Sequence, residues 1–521
     1  MNAPKRCRLL LVAAVGGSAL AVSAATVSAE PSHNAQAGAN RVLRVDQPDP
    51  VTSLDPNIQI TRSIQRIDQE ITETATKYVP VGTGHKASYV LKPWLVTGWK
   101  QVASTRWRFT VRPNVKFSDG EALTAAAFKV TLDTLRKNQT GLLTFFFNDF
   151  KSINVVNKMT FDVVTTRVNE TVPSVMSLFY VFAPGALTKL GEAQFGQHPV
   201  GTGPYMLKSF QPSIQVTLTR NPTYWGQKPK INEIAIRTVA DESTRVSDLL
   251  SGNADLVEGV VPVSVPQIAK SSKDQVRTVV AAISFNLLFN IYHPPFNTLN
   301  LRKAVNFAIN RSAITNGLFQ GYAGGLTQWY VPQLLGYEPN YKPYTYNTAK
   351  ARQLIAAAGS AADTPIDFYF PIGTTPLDQQ VAEVIQQQLQ AVGLKVVMHG
   401  GPYASISKQF VSGTVAGMYF LDYGMLTSEA GILFPYYFTT GSNYAKDALS
   451  PKGDAFYAKA LQTASPQKRA AVYQQFQHEF LGNESLIAPL YRETDIWGVS
   501  KDLNWTPQAN QRYYFEYASW K

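Results

Sequence analysis

The stretch from Pro199 to Gly226 constrains the fold of this chain most strongly. It opens with Pro199-Val200-Gly201-Thr202-Gly203-Pro204, a composition typical of a turn. Apolar and polar residues then alternate over 214–219, and this period of two predicts a half-buried strand with one polar face. A second turn is predicted at Asn221-Pro222. We therefore predict a β-hairpin whose glycines and prolines serve turn geometry rather than ligand chemistry.

The second half of the chain alternates helical and extended patterns. One helix is predicted to begin after the N-cap residue Asn347 and to end at Gly359. Further helices are predicted over about 299–319 and 377–392, and a strand over 394–398. Such alternation is typical of an α/β lobe. Because 521 residues exceed what one hydrophobic core usually supports, we expect two large lobes.

The N-terminus has the features of a secretory signal peptide. Three basic residues precede an apolar run that starts at Leu9, and small residues lie before Glu30, as a signal peptidase requires. We expect residues 1–29 to be cleaved on export, and a membrane anchor is the alternative for the same run. The single cysteine, Cys7, precedes the run, so the sequence predicts neither a lipid anchor nor disulfides.

The formal net charge of +12 is spread along the chain rather than clustered. Because basic residues form neither a tract nor a stripe interleaved with aromatic residues, nucleic-acid binding is not predicted. The six histidines are far apart and form no metal-binding motif, although spacing leaves open a site assembled in space. The sequence therefore predicts no metal and no cofactor.

An enzyme is the main alternative class of function. Ser405-Ile406-Ser407-Lys408 has the Ser-x-x-Lys spacing of some serine acyltransferases, but the companion motifs Ser-Asp-Asn and Lys-Thr-Gly are absent from the sequence. The glycines at 201 and 203 lack the third glycine of a dinucleotide-binding loop, and a proline stands where its helix should begin. The sequence therefore favours a protein that is not an enzyme.

Several short segments follow one another in a characteristic order. Besides the 199–226 stretch, they are Ser53-Leu54-Asp55-Pro56, the Trp99, Trp107 and Phe109 block that ends in Phe117-Ser118-Asp119-Gly120, Asp248–Asp255, the run from Asn290 through Pro294-Pro295-Phe296 to Arg311, Ser442-Asn443-Tyr444 and Ala488-Pro489-Leu490-Tyr491. In this order they resemble the large extracytoplasmic solute-binding proteins of peptide-type ABC transporters, the family 5 proteins for peptides, oligopeptides and nickel.

The resemblance implies an α/β fold of the type II periplasmic-binding-protein kind, with two lobes around a cleft and an extra β-rich subdomain. Mapped onto this chain, lobe I comprises residues 40–73, 199–284 and 489–521, the subdomain 74–198, and lobe II 285–488. A hinge is expected where the chain crosses between lobes, near 282–285 and 486–489. The resemblance also implies a periplasmic monomer whose closed form is recognised by ABC transporter permease subunits at the membrane.

The resemblance places a ligand-binding carboxylate at Asp422. Peptide-binding members carry an aromatic-x-x-Asp pattern whose Asp pairs with the α-ammonium group of the peptide, and Tyr419-Phe420-Leu421-Asp422 match that pattern. Aromatic walls around a carboxylate suit an ammonium group, and Tyr419 and Tyr423 are the implied walls. The alternative is a strand-end aspartate in a turn before Gly424. Many members have Trp at position 419 and an acidic residue followed by Pro after the Asp, and this chain lacks both.

Three further residues are candidate ligand contacts. Arg62 and Ser63 lie where lobe I of the family contacts an extended ligand, and Arg62 suits a bidentate contact to a carboxylate, with an exposed loop arginine as the alternative. Trp329 is either a pocket wall or a buried core residue. The expected ligand is a di- or oligopeptide, and the alternative is a non-peptide solute such as an oligosaccharide, an opine, a glutathione-like molecule or a metal chelate.

Overall fold

Two long antiparallel strands, β12 (Asp274–Phe289) and β17 (Ile487–Ser500), run through the middle of the molecule. The computed structural model describes residues 41–55, 62–81, 88–137, 146–413, 416–424, 427–442 and 446–521. The predicted signal peptide, the contact segment at 57–61, Met425-Leu426 and Asn443-Tyr444 lie outside those residues. Residues 280–289 of β12 are all buried, because neighbouring elements cover both faces of that part of the strand.

The strands are assembled around this central pair. In chain order they are β1 (Leu43–Gln47), β2 (Thr76–Val81), β3 (Ser88–Pro93), β4 (Val96–Ala103), β5 (Arg106–Val111), β6 (Phe150–Asn157), β7 (Thr160–Thr165), β8 (Tyr205–Gln211), β9 (Gln215–Arg220), β10 (Glu233–Thr238), β11 (Leu256–Val257), β12, β13 (Ala323–Gly325), β14 (Ile366–Pro371), β15 (Val396–Gly401), β16 (Met418–Gly424), β17, β18 (Leu503–Asn504) and β19 (Ser519–Trp520). The large sheet has the order β15-β14-β16-β12-β17-β11-β1-β10-β9-β8, with β13 paired to β17. A separate four-stranded sheet has the order β4-β5-β7-β6.

Helices pack on the sheets and connect their strands. They are α1 (Arg62–Ile71), α2 (Ala125–Lys137), α3 (Val172–Val175), α4 (Pro184–Phe195), α5 (Glu242–Ser251), α6 (Val265–Ala269), α7 (Leu299–Ala308), α8 (Thr348–Ala358), α9 (Asp378–Gln390), α10 (Tyr403–Ser412), α11 (Phe434–Tyr437), α12 (Pro451–Leu461) and α13 (Pro466–Gln477). The predicted N-cap of α8 is confirmed, since the Asn347 side chain accepts a hydrogen bond from the Lys350 amide at 2.9 Å. Within the part of the chain that the structure describes, none of the helices has the length and hydrophobicity of a membrane span.

The helix predicted over about 299–319 is shorter than expected. It ends at Ala308, because Ile309 adopts an extended conformation. The side chain of Arg311 donates hydrogen bonds to the carbonyls of Asn306 and Ile309, and this satisfies backbone acceptors that a continuing helix would have used. A separate helical turn then runs over Ala313–Leu318. The helical period in the sequence is therefore real, but a side chain ends the first segment early.

The predicted hairpin is confirmed, since β8 and β9 pair as antiparallel neighbours. Its preceding glycines, however, serve close packing. A Cβ atom on Gly201 would lie 2.1 Å from the carbonyl oxygen of Ile71, and one on Gly203 would lie 2.4 Å from that of Glu70. Both carbonyls belong to the last turn of α1. The predicted role in turn geometry is therefore incomplete, because glycine is needed here for the close approach of two backbones.

Two groups of parallel strands flank the central pair. On one side β1 pairs in parallel with β10 and β11, and on the other side β14 pairs in parallel with β15 and β16. Helix α5 connects β10 to β11, and α9 and α10 connect the other group in the same manner. Because carboxyl ends of parallel strands lie at the same edge of a sheet, the loops that follow each group gather together. The lobe boundaries given above stay a prediction.

Candidate functional site

Loops after the carboxyl ends of parallel strands converge on one cavity of about 400 Å³. Asp49 follows β1, Glu242 follows β10, residues 258–262 follow β11, and residues 373–378 follow β14; β17 closes the cavity with residues 493–497. In α/β sheets the crevice outside the carboxyl ends of the strands is where ligands bind. The volume lies within the range of about 300–1,000 Å³ that is usual for small-molecule sites. We call this space the strand-end cavity.

At its inner wall two arginines of α1 lie beside two acidic residues of β17; Arg62 and both acidic residues line the cavity, and the buried Arg66 lies behind them. Arg62 and Arg66 are separated by one helical turn, about 6 Å along the axis. Glu493 and Asp495 are two residues apart on a strand, about 6.7 Å, and therefore lie on the same face. Arg62 contacts Glu493, and Arg66 interacts electrostatically with Asp495. The spacing of the two arginines along the helix thus matches the spacing of the two acidic residues along the strand, so that two pairs of opposite charges lie side by side.

The guanidinium group of Arg62 bridges two carboxylates on different strands. Its Nη2 donates to Oδ2 of Asp422 at 2.6 Å, and its Nη1 donates to Oε2 of Glu493 at 3.2 Å. Asp422 lies on β16 and Glu493 on β17, with β12 between them in the sheet. The side chain of Asp422 is 30% exposed, whereas that of Glu493 is 9% exposed. Asp422 is therefore the more exposed carboxylate of the bridge.

Arg66 makes the second set of contacts, deeper in the wall. It donates to the carbonyl of Gln511 at 2.7 Å, and its Nη1 contacts Oε1 of Glu258. The Gln511 amide in turn donates to both carboxylate oxygens of Asp495, at 2.7 and 2.9 Å. Burial lowers the pKa of Arg66. The arginine and the glutamine thus tie the loop after β11 to β17.

Burial and crowding of negative charge shift the acidic groups of the wall. Burial raises the pKa of Glu493 to about 7 against the opposing effect of Arg62, and the neighbouring carboxylates of Asp495 and Asp422 add to the rise. Burial also raises the pKa of Asp495. Burial lowers the pKa of Arg62, but the negative charges of Asp422 and Glu493 raise it by more. The pKa of Arg62 is therefore raised, and the guanidinium stays charged.

The structure brings Arg62 and Asp422 together, although they are 360 residues apart in sequence. Arg62 begins α1 and is half-buried, so the alternative of an exposed loop arginine is wrong. Asp422 lies near the end of β16, as the alternative expected, but it is paired within the strand rather than in a turn. Ser63 is buried, and its hydroxyl donates to Asp49 at the cavity wall at 2.8 Å. Contact of these residues with a ligand stays a prediction.

The three predicted aromatic residues lie elsewhere. Tyr419 and Tyr423 are on the opposite face of β16 from Asp422, because side chains alternate along a strand. The ring centroid of Tyr419 is 5.2 Å from that of Tyr369. Tyr423 donates its hydroxyl to the carbonyl of Ala430 at 3.1 Å, and its ring centroid is 5.1 Å from that of Trp329. The two tyrosine rings therefore do not face the Asp422 carboxylate, and Trp329, with 3% exposure, is buried. Contact of these three residues with a ligand stays a prediction.

Sequence reasoning missed most of the inner wall. The ring that lies beside the ion pair is Phe285, whose centroid is 5.9 Å from Cζ of Arg62 and which pairs with Asp422 across the sheet. Glu493 and Asp495 carried a usable signal, since acidic residues two apart in a strand share one face. Among the described residues no group of three or more His, Cys, Asp and Glu side chains is arranged to hold a metal ion.

The chain is similar in sequence to known solute-binding proteins. Residues 90–445 match the family described as bacterial extracellular solute-binding proteins, family 5 Middle. The glutathione-binding protein GsiB of Salmonella paratyphi A is 30% identical over 422 residues, which cover 76% of this chain and 79% of that relative.

Solved structures resemble the whole described fold. A dipeptide-binding protein of Pseudoalteromonas sp. SM9913 in complex with Met-Leu superposes with a TM-score of 0.82 at 18% identity, covering 92% of this chain and 100% of the other. The periplasmic binding protein DppA of Helicobacter pylori in complex with peptide STSA has a TM-score of 0.81 at 19% identity, covering 93% and 99%. These likenesses confirm the predicted fold class, an α/β periplasmic-binding-protein fold with two lobes.

Proposed function

The chain belongs to family 5 of the bacterial extracellular solute-binding proteins, and we propose that it captures a peptide with a free α-ammonium group and delivers it to an ABC transporter permease. The observation that carries this proposal is the position of Asp422. Its carboxylate lies 2.6 Å from the guanidinium of Arg62, beside the strand-end cavity, and it is still partly exposed. Because a carboxylate can accept about four hydrogen bonds, acceptor positions are left for an ammonium group.

In the proposed complex the ammonium group donates to Asp422 while Arg62 keeps its contact. The two cations then lie close together, and Glu493 on the far side of the guanidinium offsets their repulsion. Removal of water from the closed site strengthens such charge-assisted hydrogen bonds. An N-acetylated peptide lacks both the charge and the donors, so the proposal separates free-amino from blocked ligands.

We propose that closure over the ligand uses the central strands. The ladder between β12 and β17 is interrupted between Val280 and Ser284. This interruption overlaps the hinge predicted near 282–285. Because a register shift in a strand pair absorbs changes in φ and ψ more readily than a continuous ladder, rotation at this point would bring the two groups of strand ends together. Glu493 lies on the partner strand opposite this interruption, so the ligand site and the proposed hinge share β17.

Family 5 proteins are periplasmic and work with ABC transporter permeases. We propose that this chain is exported by its N-terminal signal and acts as a monomer. Its relatives are substrate-binding transport proteins, which agrees with the prediction that the chain is not an enzyme.

Glutathione is a second candidate ligand, because a 30% identical relative is named as glutathione-binding. Glutathione is itself a tripeptide derivative with one free α-ammonium group. Asp422 would receive that group in the same way. The two candidates differ in the rest of the ligand, since glutathione also carries two carboxylates.

Isothermal titration of the purified mature protein tests the proposal. The probes are Ala-Ala-Ala, its N-acetylated form, glutathione and a library of di- to pentapeptides. We expect 1:1 binding of free-amino peptides and an affinity about 10- to 100-fold lower for the N-acetylated form, as the loss of one charge-assisted hydrogen bond implies. Equal affinity for both forms, or no binding across the library, would contradict the proposal.

A further inference from the structure

The inner wall of the strand-end cavity holds more negative than positive groups. Among the described residues, four carboxylates share two guanidinium groups there. The carboxylates are those of Glu258, Glu493 and Asp495, which line the cavity, and that of Asp422 beside it; the guanidinium groups are that of Arg62, which lines the cavity, and that of Arg66 behind it. An excess of carboxylates in a half-enclosed site attracts cations, because the low local dielectric leaves the charges poorly screened.

Polar atoms of the wall also lack partners. Oε2 of Glu258 and Nε1 of Trp497 have no hydrogen-bond partner among the described residues, and neither does Oγ1 of Thr375. Glu258 is 9% exposed and Trp497 is 2% exposed. All three residues line the strand-end cavity. Because buried polar groups are normally paired, unpaired ones at a cavity wall indicate a place for a polar ligand.

Two other charged residues of the cavity, Arg245 and Asp378, form hydrogen bonds to main-chain groups. Arg245 donates to four main-chain carbonyls, those of Val239, Ala240, Glu258 and Gly259. Asp378 accepts from the amides of Thr374 and Thr375. Arg245 therefore does not neutralise the carboxylates of the inner wall, and the excess of negative charge there is left for the solute.

We propose that the strand-end cavity binds a second cationic group of the solute, so that the protein prefers peptides carrying a lysine or arginine side chain near the free amino end. This inference rests on the proposed function, because Asp422 takes the α-ammonium group. Only the guanidinium of Arg62 separates Asp422 from Glu493, so the two cation positions are close. Glu258 and Glu493 are the acceptors assigned to the side-chain cation.

Burial supports this assignment. It raises the pKa of Glu493 to about 7. Arg62 opposes this rise, and the carboxylates of Asp495 and Asp422 add to it. An incoming cation favours the ionised form of such a group. Binding of a side-chain cation should therefore release protons near neutral pH, which a neutral side chain of the same length would not cause.

Four peptides test the inference on the intact protein at pH 8. They are Lys-Ala-Ala, norleucine-Ala-Ala and the N-acetylated form of each. The second position is tested in the same way with Ala-Lys-Ala, Ala-norleucine-Ala and the N-acetylated form of each. At one of the two positions we expect lysine to bind at least tenfold more tightly than norleucine in both the free and the acetylated series. Norleucine binding as tightly as lysine at both positions would overturn the inference while leaving the proposed function intact.

The acetylated pair makes the two proposals separable. If acetylation has no effect but lysine still exceeds norleucine, the role of Asp422 fails and the cation cavity stands. If none of the peptides binds, both proposals are overturned.

Replacement of the glutamates in the cavity wall by glutamine gives a second test of the lysine preference. Glu258→Gln and Glu493→Gln each keep an acceptor for the neighbouring arginine, so both variants should fold. We expect each to abolish most of the lysine preference, measured as the ratio of the lysine to the norleucine affinity within the same variant. Glu233→Gln is the matched control, since it removes the same charge at the amino end of β10, where Glu233 pairs with Lys208. A lysine preference that survives both wall variants would contradict the assignment.

Discussion

Two buried acidic centres of this protein differ in how completely their oxygens are used. Glu73 accepts four hydrogen bonds: Oε1 from Trp94 at 2.6 Å and Tyr224 at 2.9 Å, Oε2 from Thr202 at 2.8 Å and Trp225 at 2.7 Å. Burial raises the pKa of Glu73, and the charge of Lys77 with the hydrogen bonds from Trp225, Trp94 and Thr202 opposes the rise. The inner wall of the strand-end cavity contrasts with it, because carboxylates there outnumber guanidinium groups and one glutamate oxygen is unpaired.

Glu73 has a structural role, whereas the carboxylates of the strand-end cavity are available for binding a solute. Three of the four donors to Glu73 come from the 199–226 stretch, so these hydrogen bonds hold the hairpin segment to the second residue after α1. All acceptor positions there are filled by the protein itself. In the strand-end cavity the protein leaves acceptors unused beside enough space for a solute. The first centre should respond to mutation through stability and the second through affinity.

The largest expected effect is on the structural centre. Glu73→Ala leaves two indole N–H groups and two hydroxyls without their acceptor, and we expect a loss of about 3–5 kcal/mol of unfolding free energy. Denaturant titration measures the loss, with Glu192→Ala on the exposed surface of α4 as the control. A loss below about 1 kcal/mol would mean that these donors find other partners.

A smaller effect is expected at the bridge in the cavity wall. Arg62→Gln removes the cation between Asp422 and Glu493, and we expect a loss of about 2 kcal/mol because Glu493 is buried while Asp422 is partly hydrated. The control is Arg136→Gln at the exposed end of α2, which should change stability by no more than about 0.5 kcal/mol. If Arg62→Gln is as stable as the wild type, the bridge does not hold the wall.

The next effect is on pH dependence. Glu493 has a folded-state pKa raised to about 7, so its stabilising contribution is present below its unfolded pKa and is lost as pH rises through about 7. The ratio of the Lys-Ala-Ala affinity to the norleucine-Ala-Ala affinity should rise as pH rises toward about 7, by up to about tenfold per pH unit for one released proton, because both peptides carry the same α-amino group. The charged groups that face Glu493 are Arg62, Arg66, Asp422 and Asp495.

Titration calorimetry in buffers of different ionisation enthalpy measures the proton release. Norleucine-Ala-Ala is the control, since its side chain carries no charge to stabilise the ionised glutamate. A ratio of the two affinities that is constant from pH 6 to pH 8 would contradict the role of Glu493.

The smallest effect is expected away from both centres. Glu233→Gln breaks a half-exposed pair with Lys208 and should cost no more than about 0.5 kcal/mol of stability. Peptide affinity should not change. A larger effect on affinity would show that charge anywhere on the protein, rather than in the strand-end cavity, controls binding.

Local features of the fold were predictable from the sequence. The hairpin of β8 and β9 and the Asn347 cap follow from side-chain period and capping chemistry over a few residues. The family resemblance supplied the two-lobed fold and Asp422. The early end of α7 was not predictable, because it depends on where the Arg311 side chain turns back onto its own helix.

The composition of the cavity wall was mostly beyond sequence reasoning. Arg62 meets Asp422 and Glu493 across separations of 360 and 431 residues, and no local period encodes such contacts. The orientation of Tyr419 and Tyr423 was predictable, however. Alternation along β16 alone places both rings on the face opposite Asp422. A family pattern identifies the residue, but strand geometry decides its neighbours.

The central claim is that Asp422 receives the α-ammonium group of a peptide. Titration of Ala-Ala-Ala and N-acetyl-Ala-Ala-Ala against wild type and Asp422→Asn tests it most directly, since the asparagine keeps the size and one acceptor. We predict that the variant loses about 10- to 100-fold in affinity for the free-amino peptide and less than about threefold for the acetylated one. An equal loss for both peptides would contradict the claim.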